Sequence, residues 1–215
     1  MPNLQSSSAE LIEELPFSIT ARVAMQLGRE SISNSIVAIL ELVKNAYDAD
    51  AEKVSIRFAN LGTANALMII EDSGLGMSET QLKQNWLLIG TQFKRKSSTS
   101  KLKGRVVTGE KGLGRLGLDR LCSTTVLRSF VSGKSKGIEF QIHWSKYEKG
   151  SSKKLEEIKH QLYKIDKRIS DPITGEEVLH KRGTQILLQR LKDSWTKEQI
   201  EELKKELTLI PLQKG

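Results

Sequence analysis

Apolar and polar positions follow two periods along the chain. Between Thr20 and Asp48 the pattern is helical, with a break expected near Gly28. Ile36, Ile39, Leu40, Val43 and Tyr47 recur there at steps of three and four, one apolar stripe. Val54, Ile56 and Phe58 then alternate with Ser55 and Arg57, which predicts a half-buried strand. Gly62 and Asn65 mark a turn before a more apolar strand over Ala66–Glu71. Ser78–Leu88 reads as a helix with Ser78 and Gln81 in capping-box spacing. Thr124–Val131 and Ile138–Trp144 read as strands paired around Ser132-Gly133, and Thr184–Leu188 as a last strand. Thr196, with Gln199 three positions on, opens a final helix. This order of elements predicts an α+β sandwich, a mostly antiparallel sheet with helices on one face.

Composition narrows the class. Hydrophobic residues make up 38% of 215, enough for a core. No apolar run approaches the roughly 20 residues of a membrane span, and no secretion signal is visible at Met1-Pro2-Asn3, so a cytoplasmic protein is expected. Cys122 is the single cysteine, and His143, His160 and His180 are too widely spaced for a zinc motif. The net charge of +8 favours acidic partners, nucleotide or nucleic acid among them. Six basic and no acidic residues lie between Lys94 and Arg105, beside a Ser/Thr tract, and predict a mobile loop. Lys146–Arg168 holds eight Lys/Arg and four Asp/Glu and predicts an exposed basic helical insertion.

Three segments carry candidate chemistry. In Glu41-Leu42-Val43-Lys44-Asn45-Ala46-Tyr47-Asp48-Ala49, helical spacing puts Glu41, Asn45 and Asp48 on one face. A hydrated Mg²⁺ with phosphates suits that face, because Mg²⁺ keeps waters and takes few protein oxygens, one from Asn45. A carboxylate at Glu41 is placed to orient or deprotonate an attacking water. In Asp72-Ser73-Gly74-Leu75-Gly76-Met77 a strand-end carboxylate can accept from an exocyclic amine, while the glycines admit a flat base. In Gly109-Glu110-Lys111-Gly112-Leu113-Gly114-Arg115-Leu116-Gly117, freed backbone N–H groups at a helix start form a phosphate cradle. The first two have plainer alternatives: a charged helix face and a strand-ending turn. Gly112, Gly114 and Gly117 also match the dinucleotide fingerprint, but no βαβ unit surrounds them. Gly133-Lys134-Ser135 imitates a P-loop whose leading glycine is missing, since position 128 is Arg.

Taken together and in this order, the segments resemble the N box, the adenine box D-x-G-x-G-M and the second glycine box of the GHKL ATPase superfamily. Gly183-Thr184-Gln185-Ile186 resembles that family's late G-T-x-I strand. The resemblance covers roughly residues 17–190 and implies a Bergerat-type two-layer sandwich: a mostly antiparallel mixed sheet, helices on one face, and a long ATP lid over about 78–111. It implies ATP and Mg²⁺ as cofactors, Glu41 as general base and Asn45 as Mg²⁺ ligand. Asp48 and Ala49 then line the nucleotide pocket, Asp72 reads the adenine amine with Gly74, Gly76 and Met77 beside the base, and Thr184 supports Asp72. Lys94, Lys111, Gly112, Leu113, Gly114, Arg115, Leu116 and Gly117 fall at the phosphates. Ile89-Gly90-Thr91 followed by Lys94 is similar to a lid pattern of heat-shock-chaperone and MORC-like members. Glu41-Leu42-Val43-x-Asn45 is similar to MORC, MutL and ninety-kilodalton chaperone members; histidine kinases usually carry Asn where Glu41 stands.

The resemblance implies a slow Mg²⁺-dependent ATPase whose lid closure drives homodimerisation as a molecular clamp. The alternative is a nucleotide-gated nucleic-acid-binding module in which hydrolysis is incidental. An N-terminal arm (1–16), an ATPase domain (17–215) and a downstream transducer or effector domain in a longer protein are expected.

Overall fold

The computed structural model describes residues 18–89, 99–106, 114–150 and 152–209; the expected N-terminal arm lies outside them. Helix α1 (Ala21–Glu30) leads into α2 (Ser35–Asp48), whose start is capped where Asn34 Oδ1 accepts the Val37 N–H at 2.9 Å. The break falls at 31–34 and not at Gly28. A Cβ at Gly28 would lie 2.5 Å from Leu116 Cβ, so this glycine serves a close helix approach within α1.

Strands β1 (Val54–Ala59), β2 (Leu67–Asp72), β3 (Cys122–Phe130), β4 (Lys136–His143), β5 (Gln161–Asp166) and β8 (Gly183–Leu191) form one sheet in the order β1-β2-β8-β3-β4-β5. Every pairing in it is antiparallel. Period two sorts the faces. Met68, Ile70, Leu127, Phe140, Ile142 and Leu188 point inward and pack with residues of α1, α2 and a C-terminal helix, α5 (Lys197–Leu209). Thr196 and Gln199 cap α5 reciprocally, as their spacing predicts. The opposite face carries a smaller apolar cluster of Leu67, Ile69, Val126 and Leu187.

That second face also bears ion pairs. A hairpin of β6 (Arg168–Ser170) and β7 (Glu177–Leu179) is tied to it where Arg57 Nη2 meets Asp171 Oδ2 at 2.7 Å. The Arg57 hydrogen bond holds the Asp171 carboxyl down at about 2 against the opposing effect of burial. At the hairpin's far end, His180 lies 3.2 Å from Glu71 and stacks on Phe130 at 4.7 Å.

Two further expectations change. The helix expected over 78–88 is one turn, α3 (Glu79–Gln81), followed by a π-helical turn, Leu82–Trp86; the Ser78–Gln81 capping box is present. The wider turn leaves the Asn85 carbonyl to accept from Arg115 Nη1 at 3.0 Å. The basic insertion at 146–168 is helical only over α4 (Ser145–Lys149) and a 3₁₀ turn at Leu155–Glu157; β5 follows as the sheet edge. Leu162 reaches the core from β5, while its lysine and its polar neighbours stay solvated on an edge that charge keeps unpaired. Among the described residues no helix is long and apolar enough to cross a membrane.

Candidate nucleotide site

The site grows from one cross-strand row. Asp72 on β2, Thr184 on β8 and Ser129 on β3 are register partners and lie on the helix-covered face. Polar groups there need partners. Asp72 Oδ1 accepts the Gly74 N–H at 2.8 Å and the Thr184 N–H at 3.3 Å. Ser129, 1% exposed, accepts the Met77 N–H on its Oγ at 2.7 Å. Burial pushes the Asp72 carboxyl up to about 6; the two amides oppose that rise and the charge of Glu71 adds to it. Asp72 is thus a desolvated acceptor engaged by its own loop through Gly74 and by β8 through Thr184.

The segment after Asp72 is threaded tightly. Gly76 has φ +66°, and a Cβ there would sit 2.2 Å from the Phe130 carbonyl oxygen. Gly183, φ +113°, leaves no room either: its Cβ would lie 2.0 Å from the Asp72 carbonyl oxygen. Both conformations favour glycine. Gly74 sits against Ala49, whose carbonyl accepts the Leu75 N–H at 2.9 Å. Ser73 Oγ accepts from the Glu52 and Lys53 amides, both at 3.0 Å. The C-terminus of α2 and the 72–77 loop are therefore one unit.

On α2, Ala38, Ile39, Leu42, Val43 and Ala46 bury the inner stripe. Glu41 and Asp48 are partly exposed and Asn45 is exposed, so the three oxygen-bearing groups lie at the border of the helix face, as their spacing predicts. Glu41 Oε1 pairs with Lys44 Nζ at 2.9 Å, with both side chains about one-third exposed. Such a pair is worth about 0.5 kcal/mol and does not lock the carboxylate.

Lys94, Lys111, Gly112 and Leu113 lie outside the described residues. Gly114 opens a 3₁₀ helix, Gly114–Arg120, that packs beside α1. Leu116 is buried, and a Cβ at Gly117 would meet Ile32 Cδ1 at 2.1 Å, so this end of the motif is packed against α1 and its connection. Arg115 turns to the Asn85 carbonyl, its guanidinium 5.5 Å from the Trp86 ring centroid. Burial lowers its pKa to about 10. Among the described residues it has no carboxylate partner.

A contact that local patterning misses anchors the segment 99–106. Asp50, φ 60° and 2% exposed, accepts the Ser100 hydroxyl and the amides of Leu102 (2.9 Å) and Lys103 (3.2 Å). Burial works to raise its pKa, but these donors and Arg105 outweigh it and hold the carboxyl below its ordinary value. Arg105 Nη1 donates to the Ala51 carbonyl at 2.7 Å, and its guanidinium lies 4.5 Å from the Tyr47 ring centroid. The expected mobile loop is, over 99–106, a turn closed by the Thr99–Val106 bridge and fixed to the end of α2. Ser129 and Asp50 are the two residues that sequence reading omits. Ser129 was recoverable as one of two polar members, with Thr125, of the inward row of β3 that includes Leu127.

The chemistry of the donors fits a purine nucleotide: a buried carboxylate acceptor beside glycines that keep Cβ atoms out of the cradle. The amide and carboxylates of α2 form an oxygen set suited to a hard cation that keeps most of its waters. No cluster of three His, Cys, Asp or Glu is placed to hold a metal by itself among the described residues.

Residues 32–174 match the family model described as histidine kinase-, DNA gyrase B-, and HSP90-like ATPase. Over 181 residues, 84% of this chain, the sequence is 32% identical to a Herpetosiphon aurantiacus protein named "Putative type II restriction enzyme HgiDII". The aligned part spans 26% of that relative's length. With its antiparallel six-stranded sheet, its one-sided helices and its carboxylate-and-glycine cradle at the end of β2, the chain belongs to the histidine kinase-, DNA gyrase B- and HSP90-like ATPase family, an ATP-binding domain of the GHKL, Bergerat-type fold.

Proposed function

We propose that this domain binds ATP with Mg²⁺ and hydrolyses it slowly, using the nucleotide to close a lid over about 78–111 and to join two copies as a clamp. The observation that carries the reading is the Asp72 row. One carboxylate oxygen accepts the Gly74 and Thr184 amides, the Thr184 side chain also bonds the carboxyl, and in this reading the Asp72 carboxylate accepts the adenine amine. Gly74 and Gly76 bring the ring against backbone, with Met77 at its side. On α2, Asn45 is the side chain that would hold Mg²⁺, with Asp48 and Ala49 at the pocket wall. Bound there, the cation would neutralise phosphate charge.

Glu41 is the general base in this reading. Its exposed pairing with Lys44 costs little to break, so the carboxylate is available to orient a water and take its proton. Lys94, Lys111, Gly112, Leu113 and Gly114 belong to the phosphate segment, with Arg115 alongside. Arg115 supports a coupling of nucleotide to lid, because it already bridges that segment to the Leu82–Trp86 turn. The anchored 99–106 turn ties part of the proposed lid to the end of α2. The clamp serves a cytoplasmic protein longer than this chain, its transducer or effector region lying beyond the ATPase domain.

The restriction-enzyme name of the relative, together with the net charge of +8, supports DNA as the macromolecule on which the clamp acts. Calorimetric titration with ATP and Mg²⁺ tests the nucleotide reading. Saturable binding lost in Asp72→Asn is expected, and the absence of any heat of binding in the parent chain removes it.

A further inference from the structure

The mechanism leaves unused a concentration of lysines on the side of the fold that carries α4. Lys146 and Lys149 project from α4; the chain then turns at Gly150 and runs back. Lys146, Lys149, Lys153 and Lys159 come to line one hollow of about 360 Å³. Local bonds fix that arrangement. The Gly150 N–H donates to the Lys146 carbonyl at 2.9 Å, and the Lys153 N–H to the Gly150 carbonyl at 2.9 Å. The Lys153 carbonyl in turn accepts the Ala21 N–H at 2.9 Å, pinning the turn to the start of α1. Lys146 Nζ reaches across to the Lys159 carbonyl at 3.0 Å.

The charges are not balanced locally. All four lysines are exposed, and none is ion-paired among the described residues. One acid, Glu157, lines the hollow, and its Oε2 is already held by the Lys154 N–H at 2.6 Å. Burial, followed by the charges of Lys146 and His143, lowers the pKa of the neighbouring His160 to about 4. Like charges gathered on a pinned turn repel one another unless an anion sits among them.

We infer that this hollow grips the sugar–phosphate backbone of duplex DNA. The inference rests on the reading that DNA is the partner of the domain, and it names the surface. Lysine is a flexible point cation without the planar fork that reads base edges, which suits sequence-independent phosphate contact. No aromatic side chain lines the hollow, so the stacking platform that a single strand uses is missing from its lining. Ile158 is its one large apolar residue and is half-buried, leaving no apolar wedge for insertion into a lipid surface.

Fluorescence anisotropy of the 215-residue chain with a labelled duplex of arbitrary sequence, over a salt series, tests this. The comparison variant is Lys149→Gln/Lys153→Gln/Lys159→Gln, which leaves the Lys146–Lys159 bond in place, with circular dichroism to verify that it folds. The expected result is binding whose log–log salt slope shrinks by about 0.9 for each lysine removed. A Lys134→Gln/Lys181→Gln variant should keep the parent slope. Parent binding with an unchanged slope in the triple variant overturns the assignment of this surface and leaves DNA as partner. Failure of the parent to bind duplex at low salt overturns the DNA reading itself. Loss of binding to phosphatidylserine vesicles without loss of duplex binding gives the lysines to a membrane and also refutes the inference.

Discussion

The Thr184 backbone N–H lies 3.3 Å from Asp72 Oδ1, joining residues 112 positions apart in sequence. Asp72 is thereby held at the end of β2 by the first residues of β8, and its desolvation is a property of the pairing. Replacing the carboxyl with an amide, Asp72→Asn, keeps an oxygen to accept the two backbone hydrogen bonds but presents an N–H₂ where the adenine amine needs an oxygen. Calorimetry should show ATP binding abolished. Retained tight binding would mean that the base lies elsewhere.

The same variant should alter stability with pH in a set direction. The folded-state pKa of Asp72, about 6, lies above the ordinary value of 3.8. The carboxyl therefore favours the folded chain below that ordinary value, and this contribution is lost as pH rises through about 6. Asp72→Asn removes the cost of burying the ionised form. Its advantage over the parent should be small near pH 4 and grow to on the order of 2–3 kcal/mol by pH 7. Urea denaturation of both proteins across that range reads it; a difference independent of pH contradicts the assignment.

Glu41→Ala is expected to separate binding from turnover. The side chain is partly exposed and spends its bonds on Lys44, so its removal should shift stability by less than about 1 kcal/mol. ATP affinity should survive while phosphate release falls by about 10²-fold or more. Unchanged release in this variant takes Glu41 out of its role as base.

Gly76→Ala tests the cradle through its backbone. The φ of +66° and the 2.2 Å approach to the Phe130 carbonyl forbid a Cβ without displacement of the loop. A loss of about 1–3 kcal/mol in denaturant is expected, together with loss of nucleotide binding. Full stability and affinity would show that the loop has slack that this geometry denies.

Asp50→Ala should free the turn at 99–106. The Leu102 and Lys103 amides and the Ser100 hydroxyl lose their common acceptor. Hydrogen–deuterium exchange at those two amides should rise by an order of magnitude or more while the central strands stay protected. Exchange that does not change would show the turn to be held by Arg105 alone.

Spacing and local chemistry sufficed for the features that need no distant partner. Alternation gave β1, a continuous apolar run gave β2, strand-like segments around Ser132-Gly133 gave β3 and β4, Thr184–Leu188 gave β8, the three-and-four stripe gave α2, and capping boxes marked Ser78 and Thr196. The order of the Glu41–Ala49, Asp72–Met77 and Gly109–Gly117 segments gave the family. Helical spacing also placed Glu41, Asn45 and Asp48 on one face, because that geometry needs no partner. Which distant groups meet follows from packing across the fold. Gly28 stays inside α1 because Leu116 comes close to it, a fact about another segment. Charge density around 146–168 suggested a helix, yet β4 offered an edge and residues 161–166 took it. Asp50 with Ser100, and Ser129 with Met77, bury polar atoms whose partners lie about fifty positions away. A buried polar group must be satisfied by something, but its own neighbourhood in sequence does not say by what.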